Sequence, residues 1–330
     1  MTTAAVTGAD GFIGSHLVEA LVRRGDRVRA MVQYNSFNSW GWLESVPART
    51  MRSVEVIPGD IRDQAAALEL AQTADVVYHL AALIAIPYSY RSPRSYIETN
   101  VLGTLNVMNA ARQLGIARVV HTSTSEVYGT ARSVPIGEGH ALQAQSPYAA
   151  SKIGADKVAE SFHHSFGLPV VTLRPFNAYG PRQSARAVIP TILSQLVAGA
   201  AELRLGDRRP TRDFTFVDDT VRAFISVADA PAEAVVGQVL NAGSGSEISI
   251  GALAELLCEI SGRKVPVLEE EARHRPPGSE VMRLVADSSR LRAATGWAPE
   301  HSLRDGLTET WRWMADPANL AGYKWARYNL

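Results

Sequence analysis

Two short stretches hold the side chains best suited to chemistry. The first, His121-Thr122-Ser123-Thr124-Ser125-Glu126-Val127-Tyr128-Gly129, sets hydroxyls at Thr124 and Ser125 beside a carboxylate at Glu126. The second, Tyr148-Ala149-Ala150-Ser151-Lys152, adds a phenol and an amine four positions apart. Together these groups suit the movement of a proton and a hydride on one sugar. A free phenol is protonated at neutral pH, and keeping it ionised there takes about 4 kcal/mol. One cation at about 4 Å, at an effective dielectric of about 20, supplies that order of energy. The expectation is that Lys152, with the positive charge of a nicotinamide, leaves Tyr148 as a phenolate able to take a hydroxyl proton while hydride leaves the same carbon. Thr124 would orient that oxygen. Glu126 is the only carboxylate of the motif able to remove the neighbouring proton that a ketone acidifies. Either Glu126 or a water ordered by Ser125 would then protonate a departing hydroxyl.

Such groups need elements to position them. Arg118-Val119-Val120-His121 reads as a buried strand of a parallel sheet, so Thr124 to Glu126 leave its carboxyl end, where open α/β sheets bind ligands. Ser146-Pro147 starts a helix on which Tyr148 and Lys152 share one face, ammonium beside phenol. At the N-terminus a short strand, Thr3 to Thr7, precedes Gly8-Ala9-Asp10-Gly11-Phe12-Ile13-Gly14 and a helical run from Ser15 to Arg24. Glycines at that spacing let backbone approach a pyrophosphate held at a helix N-terminus. A second strand, Arg27 to Val32, ends at Gln33, where dinucleotide-binding folds often carry an acid for the adenosine ribose. With neither acid nor arginine at that position, NAD is favoured and NADP stays open. Asp60 and Ile61, after the third strand, are placed at the adenine edge, while Asp63 reads as a helix cap.

Strands near 3–7, 27–32, 54–57, 75–80, 118–123 and 169–173 alternate with helical patterns, which is a Rossmann-type doubly wound α/β sheet. Residues 1–175 are assigned to this dinucleotide-binding domain and 176–330 to a smaller, mixed α/β substrate-binding lobe. Part of 212–245, Val239-Leu240-Asn241 in particular, is expected to pair back into the first sheet. Helices near 94–114 and 147–166 carry long runs of small and apolar residues and are expected to form a homodimer bundle.

Composition narrows the function classes. The 330 residues are 46% hydrophobic, with 33 Lys plus Arg against 33 Asp plus Glu, so no basic field recommends nucleic acid or an anionic membrane. A small-molecule substrate follows. The single cysteine, Cys258, excludes an internal disulfide and argues against a cysteine metal cluster; no metal is assigned. No run approaches a membrane span, and the chain opens directly into a strand without a signal-peptide pattern, so a cytoplasmic location is expected.

The motifs TGADGFIGSHL, GDIRD, HLAA, NVLGTLN, TSTSEVYG, YAASK, RPFNAYGP, RDFTFVDD, RPPGSEV and TGWAPEHSL together resemble the extended short-chain dehydrogenase/reductase family, and within it the nucleotide-sugar 4,6-dehydratases. The segment Tyr34 to Leu43 and the tail Tyr323 to Asn329 look most like dehydratases of legionaminic acid pathways, which act on nucleotide-linked N-acetylglucosamine. Thr124-Ser125-Glu126 stands where dTDP-glucose dehydratases carry Thr-Asp-Glu and is similar to the GDP-mannose enzymes.

The resemblance implies oxidation at C4 of a nucleotide-linked hexose, loss of water across C5 and C6, and return of hydride to C6. It adds Leu80, Ala81 and Ala82 of HLAA to the cofactor contacts. Asn177, Arg212 and Arg275 become the candidates for the nucleotide diphosphate, and Val188, within Arg186 to Pro190, for the wall of the base. Rival readings are a nucleotide-glucuronate decarboxylase, a 4-epimerase, a dehydratase that returns hydride to C4 and leaves a 5,6-alkene, and, outside the enzymes, a dinucleotide-sensing binding protein.

Overall fold

Residues 1–329 are described by the computed structural model. Short apolar segments form β1 (Thr3–Thr7), β2 (Arg27–Gln33), β3 (Val54–Gly59), β4 (Val76–His79), β5 (Arg118–Thr122), β6 (Val170–Pro175) and β7 (Val239–Ala242). They make one seven-stranded parallel sheet in the order β7-β6-β5-β4-β1-β2-β3. The order reverses at β1, the switch point at whose carboxyl side open α/β sheets hold ligands. Nearly continuous burial of Ala4 to Thr7 and of Arg118 to His121 is what a central strand covered on both faces requires.

The helices that matter for the site are α1 (Phe12–Arg24), α2 (Gln64–Ala71), α3 (Gly103–Leu114), α4 (Pro147–Phe166) and α5 (Val217–Asp229). Asp63 caps α2 by accepting the Ala65 N–H. Ser146 caps α4 by accepting the Ala149 N–H at 3.1 Å, and Pro147 occupies its first position, so sequence punctuation alone fixes where the Tyr148 turn begins. The run leading into α3 contains a π-helical turn over Ile97–Leu102, an irregularity that the apolar periodicity near 94–114 did not disclose.

Beyond β6 the chain builds short two-stranded pairs. Leu203–Leu205 lies against Val267–Glu269, and Thr211–Arg212 against Ile248–Ser249. The seventh strand of the main sheet comes from this half of the sequence, and α5 packs on α1 and on β5. One apolar core joins β1, β2, α1, α5 and the helices Ile250–Ser261 and Leu303–Met314. Among the described residues no helix is long and apolar enough to cross a membrane.

Candidate active site

The glycine turn is built by close backbone approach. Gly8 adopts φ +67°, and a Cβ there would stand 2.9 Å from the Ala81 backbone. At Gly14 a Cβ would overlap the Gly8 carbonyl. Thr7 Oγ1 accepts the N–H groups of Leu80 and Ala81, each at 3.0 Å, which pins that pair, just before Ala82, beside Gly8, while Gly11 to Gly14 carry the turn on into α1. The first amides of α1 lack a side-chain cap, so the bare turn and helix N-terminus form a cradle that fits a pyrophosphate. Gln33 ends β2 as an exposed residue. Asp60 is held by Arg62 through a 2.5 Å ion pair that lowers its carboxyl pKa, and Ile61 is buried against Gly103.

A polar chain runs from this cradle to the second stretch of chemistry. His79 Nδ1 and Nε2 lie 2.9 Å from the hydroxyls of Thr7 and Thr104. Because Thr7 Oγ1 already accepts two N–H groups, its proton goes to Nδ1, and His79 donates from Nε2 to Thr104. Burial holds the His79 pKa well below the usual imidazole value, which agrees with a neutral ring. Thr104 donates to Asn100 O at 2.6 Å, Asn100 Nδ2 donates to Ser151 Oγ at 2.9 Å, and Ser151 donates to Tyr148 O at 2.7 Å.

The reactive groups meet at the carboxyl end of β5. Thr124 starts the turn Ser125–Tyr128, and its hydroxyl accepts the Glu126 N–H at 3.2 Å. Tyr148 and Glu126 are 7% and 8% exposed; the phenol shares a hydrogen bond with Thr124 and lies within the electrostatic reach of Glu126. Ser125 is buried within the same turn. The Tyr148 ring is flanked by Ile86 and, edge-on at 6.2 Å between centroids, by Tyr96.

Lys152 is also buried, and its ammonium donates to Thr122 O at 2.6 Å. The ammonium turns to this carbonyl, and in the protein without a nicotinamide Lys152 alone does not hold Tyr148 as a phenolate. Burial raises the Tyr148 pKa and outweighs the bond from Thr124, with Glu126 adding in the same direction. Burial likewise lowers Lys152 to about 8, against which Asp156 works.

Asp156, one turn beyond Lys152, anchors the floor of the site. Its carboxylate accepts Ser123 Oγ at 2.7 Å, His121 Nε2 at 3.0 Å and Arg174 Nη2 at 2.9 Å, and Arg174 continues to Tyr128 OH at 2.9 Å. Although burial pushes the other way, His121, Arg174 and Lys152 hold Asp156 at about 2. Asp156→Asn should cost about 3–5 kcal/mol of stability, because it leaves the Arg174 charge buried and unpaired. Urea denaturation at pH 7 measures this, and a loss under about 1 kcal/mol would refute the anchor. Since the folded pKa lies below the ordinary 3.8, this stabilisation is whole above that value and drains away as pH falls towards about 2.

On the lobe side Arg212, 6% exposed, donates to Glu280 at 3.1 Å and to Thr211 O at 2.9 Å. Arg275 lies 3.6 Å from the same Glu280 carboxylate, and its Nη1 is buried without a hydrogen-bond partner among the described residues. Both guanidiniums feel Glu126. Burial opposes the charge of each. It lowers the Arg212 pKa, while for Arg275 the acids Glu126 and Glu280 prevail and the pKa rises. Asn177 follows β6, and its Oδ1 is buried without a hydrogen-bond partner among the described residues. Val188 opens the helix Val188–Val197 and packs on the main core.

Sequence reasoning passed over Glu280, Asp156 and Asn100, which the fold brings to these groups. The RPPGSEV motif contained Glu280, but nothing in its spacing said that it would bridge two arginines.

The model of the GDP-mannose 4,6-dehydratase family matches residues 5–310. The chain is 36% identical to a UDP-glucose 4-epimerase of Mycolicibacterium smegmatis, over 92% of this chain and 96% of the relative. It is 32% identical to a dTDP-glucose 4,6-dehydratase of Xanthomonas campestris pv. campestris, over 95% and 93%. Among solved structures, a double mutant of the dTDP-glucose 4,6-dehydratase DesIV from Streptomyces venezuelae, with NAD bound, superposes with a TM-score of 0.87 at 30% identity, covering 98% of this chain and 99% of that one.

Proposed function

This chain belongs to the GDP-mannose 4,6-dehydratase family of nucleotide-sugar enzymes, and on that premise we propose that it is an NAD-dependent nucleotide-sugar 4,6-dehydratase. The hexose we propose is of the N-acetylglucosamine or glucose type, linked to a nucleoside diphosphate. The observation that carries this reading is the placement of the Glu126 carboxylate in one buried turn with Thr124, within electrostatic reach of the Tyr148 phenol. A 4-epimerase has no use for a carboxylate there, because it removes no proton from C5.

Gly8, Gly11, Phe12, Ile13 and Gly14 would hold the pyrophosphate, Gln33, Asp60 and Ile61 the adenosine end, and Leu80 to Ala82 with Tyr148 and Lys152 the nicotinamide half. NAD relatives support the assignment, and the side-chain-free cradle fits it. When bound, nicotinamide supplies a reversible acceptor for hydride and a positive charge. Tyr148 takes the proton from the C4 hydroxyl, which Thr124 orients. Its raised pKa means that the phenol starts protonated, so the base forms only once positive charge is brought beside it. Glu126 then takes the proton on C5, acidified by the C4 ketone, the C6 hydroxyl leaves as water after receiving a proton from Glu126 or through Ser125, and the hydride taken from C4 returns to C6 as C5 regains a proton from solvent. Arg212, Arg275 and Asn177 receive the diphosphate, whose oxygens match the guanidinium fork and the unbonded Arg275 Nη1.

One observation favours a second reading. Two guanidiniums within the field of Glu126 are also what a C6 carboxylate would need, as in a nucleotide-glucuronate decarboxylase. Mass spectrometry after incubation with UDP-, GDP- and dTDP-linked hexoses and hexuronates separates the two. Loss of one water supports the dehydratase, and loss of carbon dioxide overturns it in favour of the decarboxylase.

The working pH follows from Lys152. If its cation serves the site, kcat/KM should fall as pH rises through about 8, the value burial imposes on the free protein. Stability should move oppositely. The unfolded chain holds that proton up to the ordinary 10.5, so the penalty of burying the charge disappears between about 8 and 10.5. A flat kcat/KM profile from pH 7 to 10 would refute the role of the cation.

We also propose a homodimer through the helices around 94–114 and 147–166. The first leaves Ile97 and Leu102 exposed, and Ile84 and Tyr88 in the preceding segment are exposed as well. A light-scattering mass of a single chain at micromolar concentration would refute it.

A further inference from the structure

Dinucleotide-binding folds seat the adenosine ribose at the carboxyl end of the second strand, where an acid accepts a hydrogen bond from the 2′-hydroxyl. In this chain β2 ends at the uncharged Gln33. A carboxylate nevertheless stands at that strand end, delivered from the glycine turn: Asp10 Oδ2 accepts the Gln33 backbone N–H at 3.1 Å. Asp10 is fixed from the opposite side as well. Its carbonyl accepts the Trp42 N–H at 3.0 Å, and Gly41, at φ +55°, lies so close that a Cβ would stand 2.6 Å from that carbonyl oxygen.

The segment after β2 is therefore a brace. Asn35 ties it internally by donating to Gln33 O and Ser39 O and accepting from Phe37 N and Ser39 N, and Trp42 packs edge-on to Trp313 at 5.7 Å. Among the described residues no guanidinium or ammonium pairs with Asp10. Burial raises its pKa, and the influences that oppose burial are backbone N–H groups rather than a guanidinium or ammonium.

We propose that Asp10 selects NAD over NADP, its carboxylate accepting from the ribose 2′-hydroxyl and repelling a 2′-phosphate. The proposal rests on the dinucleotide reading of the glycine turn and adds what Gln33 alone left open. A 2′-phosphate carries close to two negative charges at neutral pH, and a second anion at hydrogen-bond range in a partly buried site must be desolvated with no counter-charge. Specificity would come from the repulsive element as much as from the bond made to NAD.

Equilibrium binding tests this on the full chain freed of dinucleotide, by calorimetry with NAD⁺ and NADP⁺ at fixed ionic strength. Wild type is expected to hold NAD⁺ at least about a hundredfold more tightly. Asp10→Asn keeps the side-chain shape and an acceptor for the Gln33 N–H, and should bring the two affinities within about tenfold, chiefly by strengthening NADP⁺. Equal affinities in wild type, or an unchanged ratio in Asp10→Asn, would overturn the assignment. Gln33→Arg gives a check that leaves the turn untouched. With Asp10 in place the arginine should still leave NAD⁺ preferred, and a switch to NADP⁺ from that change alone would overturn the role of Asp10. Binding of both dinucleotides alike sinks only the selectivity, whereas binding of neither sinks the cofactor reading with it.

Discussion

Glu126→Gln is expected to carry the reaction to the ketone and stop. The change is isosteric, and the turn that holds residue 126 is fixed through its backbone N–H to Thr124 rather than through the carboxylate, so the fold should persist. An amide cannot take the proton from C5. Dehydration should fall by about a thousandfold, the range associated with losing a positioned general base. Oxidation at C4 depends on Tyr148 and Thr124 and should survive, so the absorbance of reduced nicotinamide should accumulate after sugar is added. Dehydration at the wild-type rate would show that another group removes the C5 proton.

Tyr148→Phe should abolish both halves. The ring packs against Ile86 and Tyr96, which phenylalanine preserves, so the loss isolates the hydroxyl and its bond with Thr124. Without that oxygen no proton leaves the C4 hydroxyl, no ketone forms and Glu126 has nothing to act on. Cofactor reduction and water loss should therefore drop together, by at least about a thousandfold. Reduced nicotinamide appearing at more than about a tenth of the wild-type rate would assign the base elsewhere. The two variants together separate the steps, since one accumulates reduced cofactor and the other does not.

The parts of this arrangement legible in the sequence are those fixed by local rules. Ser146 and Pro147 set the start of α4 because capping and proline are properties of adjacent residues, and the strand before the glycine turn announces itself by the apolar run Ala4-Ala5-Val6. The use of each charge was not legible. A spacing of four on a helix said that Lys152 and Tyr148 share a face, but not that the ammonium would turn to Thr122 O, thirty residues upstream, or that burial would dominate the phenol. Asp10 escaped notice for the same reason. It meets the end of β2 across 23 positions, and only the folded turn brings it there. Glu280 meets Arg212 across 68 positions.

The run from Thr7 through His79, Thr104, Asn100 and Ser151 to the backbone of residue 148 has a further implication. Its bonds share a single polarity at the histidine, so a proton added to that imidazole would set two donors facing each other and break the sequence in the middle. Burial, which keeps that ring neutral, is therefore also what keeps the bonds running unbroken from the glycine turn to the helix that carries the phenol.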